Sequence, residues 1–577
     1  MTPPPAPATP GTPSGDIPPG DMRSGDISPG DTMARNAATV AGATLASRVL
    51  GYARDALTAY ILGAGAGADA FFVAFRLPNL MRRLLGEGAV SLAFTPAFVR
   101  LREREGDARA FAFGRGVLLR ALPPLVLLCL LGMILARPLA LLLAPGFGAP
   151  SSSLPDAPPG VAERAAGLLR ICLPYGVLAA CAALCAGMLH AHGRFLPPAL
   201  APAALNLAVM ATGGLALAGF GDAATLLACG VLAGGMAQLG MQLPPLRRLG
   251  LRWRAPLPGR DRQAGDAARA LPAGVFGASA QQLNVLACTL LASFLSEGSV
   301  TALYYAERLM EFPLGVFGVA VGVAALPALS KGPGVPDMQD MQDKPDRPDS
   351  PAGAAAPPHP RDEFRRVLGD ALRLSLFVSL PSALGLAAVG APLVALLFGH
   401  GAFDRQAVDA TVAALLAYAP GIPAFAVARP LLAACNARQA AGAPVAAGLA
   451  SVLVTLGLGA LLLGPLGVAG PALAASCGSW VNTACLVLAL RRGGTMVDLH
   501  PRAALLHAAL ACAACLPAWW LAGAFAGTAW AAPALHPAAR LALGVPLAAL
   551  LYLVLSLCCR SRDAIALLRV VRGGKTG

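Results

Sequence analysis

Charge is what this chain has least of. Asp, Glu, Lys and Arg supply 13% of its 577 residues, about half the share in an average soluble protein. With 56% apolar residues, that scarcity excludes a soluble globular chain and predicts an all-α polytopic membrane protein. Acids are scarcer still, 30 against 44 bases, for a net charge of +14. The bases sit in gaps between apolar runs, not on a soluble face with aromatic partners, so nucleic acid is not an expected partner. They read as topology signals.

Chemistry-bearing motifs are also missing. No G-x-x-x-x-G-K-[ST] occurs, so the chain carries no ATP motor of its own. A Ser/His/Asp set and paired acids in a soluble domain are absent too, which argues against an enzyme. No cofactor or metal is expected. Thirteen cysteines are present, but Cys129, Cys172, Cys181, Cys185, Cys229 and Cys288 lie inside apolar runs and read as small buried hydrophobes. Cys512 and Cys515 form a C-x-x-C with no second pair or His cluster to complete a zinc site.

Apolar runs of about 20 residues divide the chain into about fourteen spans, from 36–62 and 69–99 through 300–330 to 538–559. Every second gap between them is basic, and the alternate gaps, such as GAGAGAD and SEGSV, carry almost no Lys or Arg. By the positive-inside rule both termini are cytoplasmic. Residues 1–33 are Pro-, Gly- and Ser-rich with no signal-peptide apolar core, and are expected to be a disordered cytoplasmic extension, with Met33 an alternative start.

The chain repeats itself. Leu246-Arg247-Arg248 recurs as Leu490-Arg491-Arg492, and Pro174 and Pro197 recur as Pro420 and Pro444. This predicts two six-helix lobes, 34–250 and 270–492, joined by a basic linker at 251–269. The second lobe carries a Pro- and Asp-rich disordered loop at 332–361. Two further helices at 500–560 and a basic tail at 561–577 complete the expected order. Repeated lobes with a site at their interface are a transporter signature.

The few charges are not scattered. Arg48, Arg54, Asp55, Asp69, Arg76, Arg82, Arg83 and Glu87 all fall between 47 and 97, inside segments that otherwise read as buried helix. Each would cost roughly 2.5 to 3.5 kcal/mol at a helix centre in lipid, so they must line something wet. Positions seven apart on a helix return to within about 20 degrees, which puts Asp69, Arg76 and Arg83 on one stripe with Glu87 a turn beyond. The repeat sets Glu307, Arg308 and Glu311 opposite them. An Arg-rich cleft suits a multiply anionic ligand, because guanidinium groups stay charged and grip phosphate oxygens in pairs. The acids would partner the arginines while the cleft is empty.

Other polar residues are less decided by sequence. Arg429 is either a second-lobe cavity residue or a side chain snorkelling to the interface. Gln281, Gln282 and Asn284 suit interhelical hydrogen bonds better than ligand contacts. His190 and His192 read as a solvated helix end. Pro78 and Pro313 are expected to kink their helices.

Three stretches are recognisable: SRVLGYARD (47–55), DAFFVAFRLPNLMRRLLGEGA (69–89) and YYAERLMEFPLGVFGVA (304–320). They resemble the MurJ/MviN family of lipid II flippases, within the superfamily of multidrug, oligosaccharidyl-lipid and polysaccharide exporters. The resemblance implies fourteen helices, a final pair forming a groove for a lipid tail, and alternating-access transport of the undecaprenyl-pyrophosphate-linked peptidoglycan precursor across the bacterial inner membrane. It implies lipid II and membrane lipids as partners, and a monomer that can work beside the cell-wall synthesis or division machinery. Arg48, Arg54, Asp69, Arg82, Arg83, Arg308 and Glu311 match charged cavity positions of similar proteins, and Arg76 and Glu307 match positions of like charge. One stretch departs: CNARQAAGAP (435–444) lacks the acid and cation that relatives carry there, so sodium coupling is not implied. Membrane potential and a proton stay open. A drug exporter of the same superfamily should show acids and aromatics in its cavity, a membrane glycosyltransferase clustered acids at the cytoplasmic face, and a scaffold no convergent charge.

Overall fold

The computed structural model describes residues 29–84, 90, 94–148, 160–252, 280–313, 360–438, 442–498, 500–521 and 537–565. The described residues are helical throughout, joined by short turns. In chain order the helices are α1 (Pro29–Leu62), α2 (Ala66–Arg83), α3 (Thr95–Glu105), α4 (Asp107–Ile134), α5 (Ala136–Leu143), α6 (Val161–Ala191), α7 (Leu196–Leu217), α8 (Ala223–Gly240), α9 (Leu243–Arg248) and α10 (Ala280–Ala292). Then come α11 (299–313), α12 (Pro360–Phe398), α13 (Arg405–Tyr418), α14 (Ile422–Ala437), α15 (Gly442–Leu466), α16 (Ala469–Arg492), α17 (Pro501–Leu521) and α18 (Pro537–Cys558). Ten helical segments among the described residues are long and apolar enough to cross a membrane. Each expected span coincides with described helix over at least part of its length. The chain is an all-α, multi-pass membrane protein.

Boundaries differ from expectation where proline acts. Helix α1 starts at Pro29, inside the expected disordered extension, because proline's fixed φ suits a first helical turn. Helix α12 likewise starts at Pro360, inside the end of the expected loop. The single span expected over 406–435 is two helices, α13 and α14, separated by a 3-10 turn at Ala419–Gly421 around Pro420. Residues 253–279, which hold most of the expected linker, and 314–359, which hold most of the expected loop, lie outside the described residues.

Packing follows small residues, since lipid removes the hydrophobic drive between helices. On α8, Gly230 and Gly234 meet α7 so closely that a Cβ would come within 2.9 Å of the Val209 Cα and 2.8 Å of the Leu205 Cα. Buried polar groups then tie helices together. Asn284 on α10 donates to Ser451 Oγ at 2.7 Å and accepts from Thr455 Oγ1 at 2.9 Å, both on α15, so it serves the interhelical role expected. The thirteen cysteines are free; Cys229, expected to be buried, is exposed on an α8 flank. His192, expected to be solvated, instead stacks on Phe111 at 4.9 Å and contacts the Met188 carbonyl at 2.7 Å.

Helices α17 and α18 pack on each other and on α12. A buried charge cluster fastens them: Asp563, 6% exposed, accepts from Arg373 Nη2 at 2.9 Å and contacts His507 Nε2 at 3.2 Å. Burial raises the Asp563 pKa, but the hydrogen bonds from His507 and Arg373 outweigh it, leaving the carboxyl below its ordinary range. A lowered folded pKa stabilises above the unfolded value of about 3.9 and is lost as pH falls through the folded value. Asp563→Asn should therefore cost roughly 1 to 3 kcal/mol near neutral pH. In thermal melts of the purified protein, the gap from wild type should narrow below about pH 4.

Candidate functional site: an arginine-lined cavity

Helices α1, α2, α7, α8, α10, α11 and α14 enclose a cavity of about 700 Å³. Seven arginines line it: Arg48, Arg54, Arg76, Arg82, Arg83, Arg308 and Arg429. Glu307 and Glu311 line it too. The charges thus converge as helical phase and repeat predicted, and Arg429 belongs to the cavity rather than to the interface.

Three ion-pair sets join α1 and α2 to α11 across the cavity. Asp55, 2% exposed, accepts from Arg54 Nε at 3.0 Å and from Arg308 Nε at 2.9 Å. Arg76 Nη1 donates to Glu307 Oε2 at 2.9 Å. Arg83 grips both Glu311 oxygens, at 2.9 and 3.2 Å, in the fork geometry that only a guanidinium offers. Arg308 also reaches Glu311, at 3.5 Å. Aromatic faces complete the shell, with Arg76 over Tyr304 at 5.6 Å and Arg308 over Tyr52 at 5.9 Å. Asp55 itself does not line the cavity; it stands behind Arg54 and Arg308.

Asp69 needs a correction. It lies on the expected stripe of α2, but at the helix start, outside the cavity, 3% exposed. Its carboxylate accepts from Gly298 N at 2.8 Å, Thr301 N at 2.8 Å and Thr301 Oγ1 at 2.5 Å. Those are the free N–H groups at the start of α11, which an anion satisfies best. Reciprocally, Glu297 accepts from Ala66 N at the start of α2, at 3.1 Å. Each helix is capped by an acid from the other's neighbourhood. Gly298, at φ +82°, closes the joint: a Cβ there would meet the Ala64 carbonyl oxygen at 2.3 Å. Glu87 lies outside the described residues.

Sequence reasoning missed the neutral wall. Asn79, Asn206 and Gln238 line the cavity. Arg82 donates from Nε to Asn79 Oδ1 at 3.2 Å, and Asn206 donates to the Ser47 carbonyl at 3.1 Å. Their signal was available, since each is an amide within an apolar span. Gln282, read as a structural residue, also lines the cavity.

Comparison with known proteins shows the family and the fold. A family model described as "Lipid II flippase MurJ" matches residues 58–537. The "Lipid II flippase MurJ" of Burkholderia cenocepacia is 32% identical over 464 residues, covering 79% of this chain and 83% of that protein. The "Probable lipid II flippase MurJ" of Haemophilus influenzae is 31% identical over 451 residues, covering 78% and 84%. A solved structure titled "Lipid II flippase MurJ, inward closed conformation" superposes with a TM-score of 0.70 at 21% identity, covering 91% of this chain and 99% of that one. An inward-facing multidrug resistance MATE family transporter of the MOP superfamily matches in fold, with a TM-score of 0.58 at 14% identity over 77% of this chain and 94% of that one. On the extent of the family match and the identity of these relatives over most of both chains, the protein belongs to the MurJ family of lipid II flippases.

Proposed function

We propose that this protein carries lipid II, the polyprenyl-pyrophosphate-linked peptidoglycan precursor, from the inner to the outer leaflet of the bacterial inner membrane by alternating access. The observation that carries this reading is the convergence of seven guanidinium groups on one intramembrane cavity. Charge of that sign at that depth is unfavourable unless an anion shares it. The pyrophosphate lies among Arg54, Arg76 and Arg308, and the headgroup fills the cavity. The Nε of Arg76 is a buried donor with no partner among the described residues, which suits a ligand oxygen. The polyprenyl tail stays in lipid along α17 and α18, whose Trp519 and Trp520 are 38% and 41% exposed.

Phosphate oxygens compete with Asp55, Glu307 and Glu311 for the arginines that join α1 and α2 to α11. Cargo binding therefore loosens the cavity's cross-links while leaving the Asp69 joint as the remaining tie. That joint lies between gaps poor in Lys and Arg, so it faces outward, and both termini are cytoplasmic. The lobes at 34–250 and 270–492 are the moving bodies, in a monomer that makes and breaks no covalent bond in its cargo. A drug exporter of the shared fold fits less well, since its cationic cargo would be repelled by seven arginines. In bacteria depleted of their own lipid II flippase, expression of this chain should restore growth. Continued lysis at normal expression would contradict the proposal.

A further inference from the structure

One span of lobe two is broken at mid-length. Residues 405–437 together are long and apolar enough to cross a membrane, yet a 3-10 turn at Ala419–Gly421 divides them into α13 and α14. Pro420 and Pro423 supply no N–H, so two hydrogen bonds of a continuous helix cannot form there. Backbone freed at that depth must find partners within the protein. One face of α16 provides them. Ser476 Oγ donates to the Ala417 carbonyl at 2.8 Å, Trp480 Nε1 to the Pro420 carbonyl at 3.0 Å, and Thr483 Oγ1 to the Ala424 carbonyl at 3.1 Å. Gly421 lets α16 come this close, since a Cβ there would stand 2.9 Å from the Ser476 Cα. Pro174, the counterpart of Pro420 in lobe one, stays inside the continuous α6.

The neighbouring helices are weak in the same region. On α12, which packs on the 3-10 turn, Pro381 frees the Phe377 carbonyl, and the Tyr552 hydroxyl of α18 donates to it at 2.8 Å. The α16 face that holds the break includes Gly478 and Ser479 between Ser476 and Trp480, a pairing found at helix kinks. Here the core also divides. Val394 of α12, Leu415 of α13 and Ala475 of α16 belong to the large core shared with lobe one. Leu372 of α12, Leu431 of α14 and Leu486 of α16 belong to a separate core that holds no residue of lobe one. A pivot between the two cores parts few buried side chains from their partners, as a hinge between packed bodies requires.

We propose that this region is a hinge: the α14 half of lobe two, with Arg429 on the cavity wall, pivots about Ala419–Gly421 while the α13 half stays with the shared core. The inference rests on the transport reading, and it divides lobe two into two bodies where the repeat suggests one. The donors on α16 and α18 hold the present setting. Tyr552 gives the final helix pair a direct hold on the hinge.

The test places spin labels at Asp409 on α13 and Asn436 on α14 of the full chain in lipid nanodiscs, through an unnatural amino acid because several native cysteines are exposed. A lobe that moves as one body keeps their distance fixed. Without any cargo, Trp480→Phe removes the donor to Pro420 but keeps a ring, and should shift the distance distribution away from that of wild type. Lipid II added to wild type should shift it too. Pro420→Ala combined with Pro423→Ala restores both N–H groups, and should bind lipid II yet fail to restore growth to flippase-depleted cells. Distances that stay fixed, in Trp480→Phe or in wild type with lipid II bound, overturn the hinge, as does full growth rescue by the double proline variant. Wild type that binds no lipid II overturns the cargo reading alone, because the cargo-free comparison still decides the hinge.

Discussion

Arg308→Ala should abolish transport while leaving the fold intact. The two acids that Arg308 contacts each keep a second arginine: Asp55 retains Arg54, and Glu311 retains both arms of Arg83. No carboxylate is left buried and alone, so the usual cost of breaking a buried pair, about 3 to 5 kcal/mol, is largely avoided. What is lost is a cavity guanidinium that, on the function proposed, meets the cargo's anion. Hydrogen bonds to charged groups contribute roughly 1.5 to 3 kcal/mol each, so a doubly bonded phosphate loses about 100-fold in affinity or more. Growth rescue should fail and lipid II binding should fall by that factor, with an unchanged melting profile. Arg308→Lys keeps the charge but not the fork, and should recover only part of the loss. Arg137→Ala removes an exposed pair with Glu163 whose side chains are 63% and 58% accessible, so it should behave as wild type.

The second large effect is conformational. Asp69→Ala removes three hydrogen bonds and strips the start of α11 of its anion. The Gly298 and Thr301 N–H groups would be left buried without partners, at about 1 to 3 kcal/mol each. That penalty falls on the closed arrangement alone, because opening the joint hydrates the same groups. A difference of about 3 kcal/mol moves a two-state equilibrium by on the order of 100-fold. Spin labels placed either side of the joint, at Tyr60 and the exposed Ser296, should report a shift from a short to a long distance in Asp69→Ala. An unchanged distance distribution would mean that the joint does not hold the closed state. Asp69→Asn should fall between, since an amide oxygen can still accept but carries no charge for the helix start.

These two residues also mark where sequence reasoning succeeded and where it stopped. The stripe on α2 follows from spacing alone, and it correctly brought Arg76 and Arg83 to Glu307 and Glu311. Spacing fixes angle round a helix but not which neighbour waits at each level. Asp69 shares the stripe, yet its level coincides with the start of α11, and free backbone N–H groups there take the carboxylate before any cavity can. The amide wall was missed for a related reason: Asn206 and Gln238 are ordinary interhelical hydrogen-bonding residues by type, and only the packing of α7 and α8 beside α1 and α2 places them on the cavity lining. The overall order of helices was far more legible, because lipid imposes long apolar runs and a charge alternation that survive without any knowledge of packing. Prolines blurred it locally. Pro420 divided one run into α13 and α14 without changing its hydropathy.

The central claim is that the arginine cavity moves lipid II between leaflets, and leaflet-specific accessibility of lipid II tests it most directly. In cells depleted of their own flippase, outer-leaflet lipid II should rise when this protein is expressed and should stay at the depleted level with Arg308→Ala at equal abundance. Equal outer-leaflet lipid II for wild type and Arg308→Ala would contradict the account.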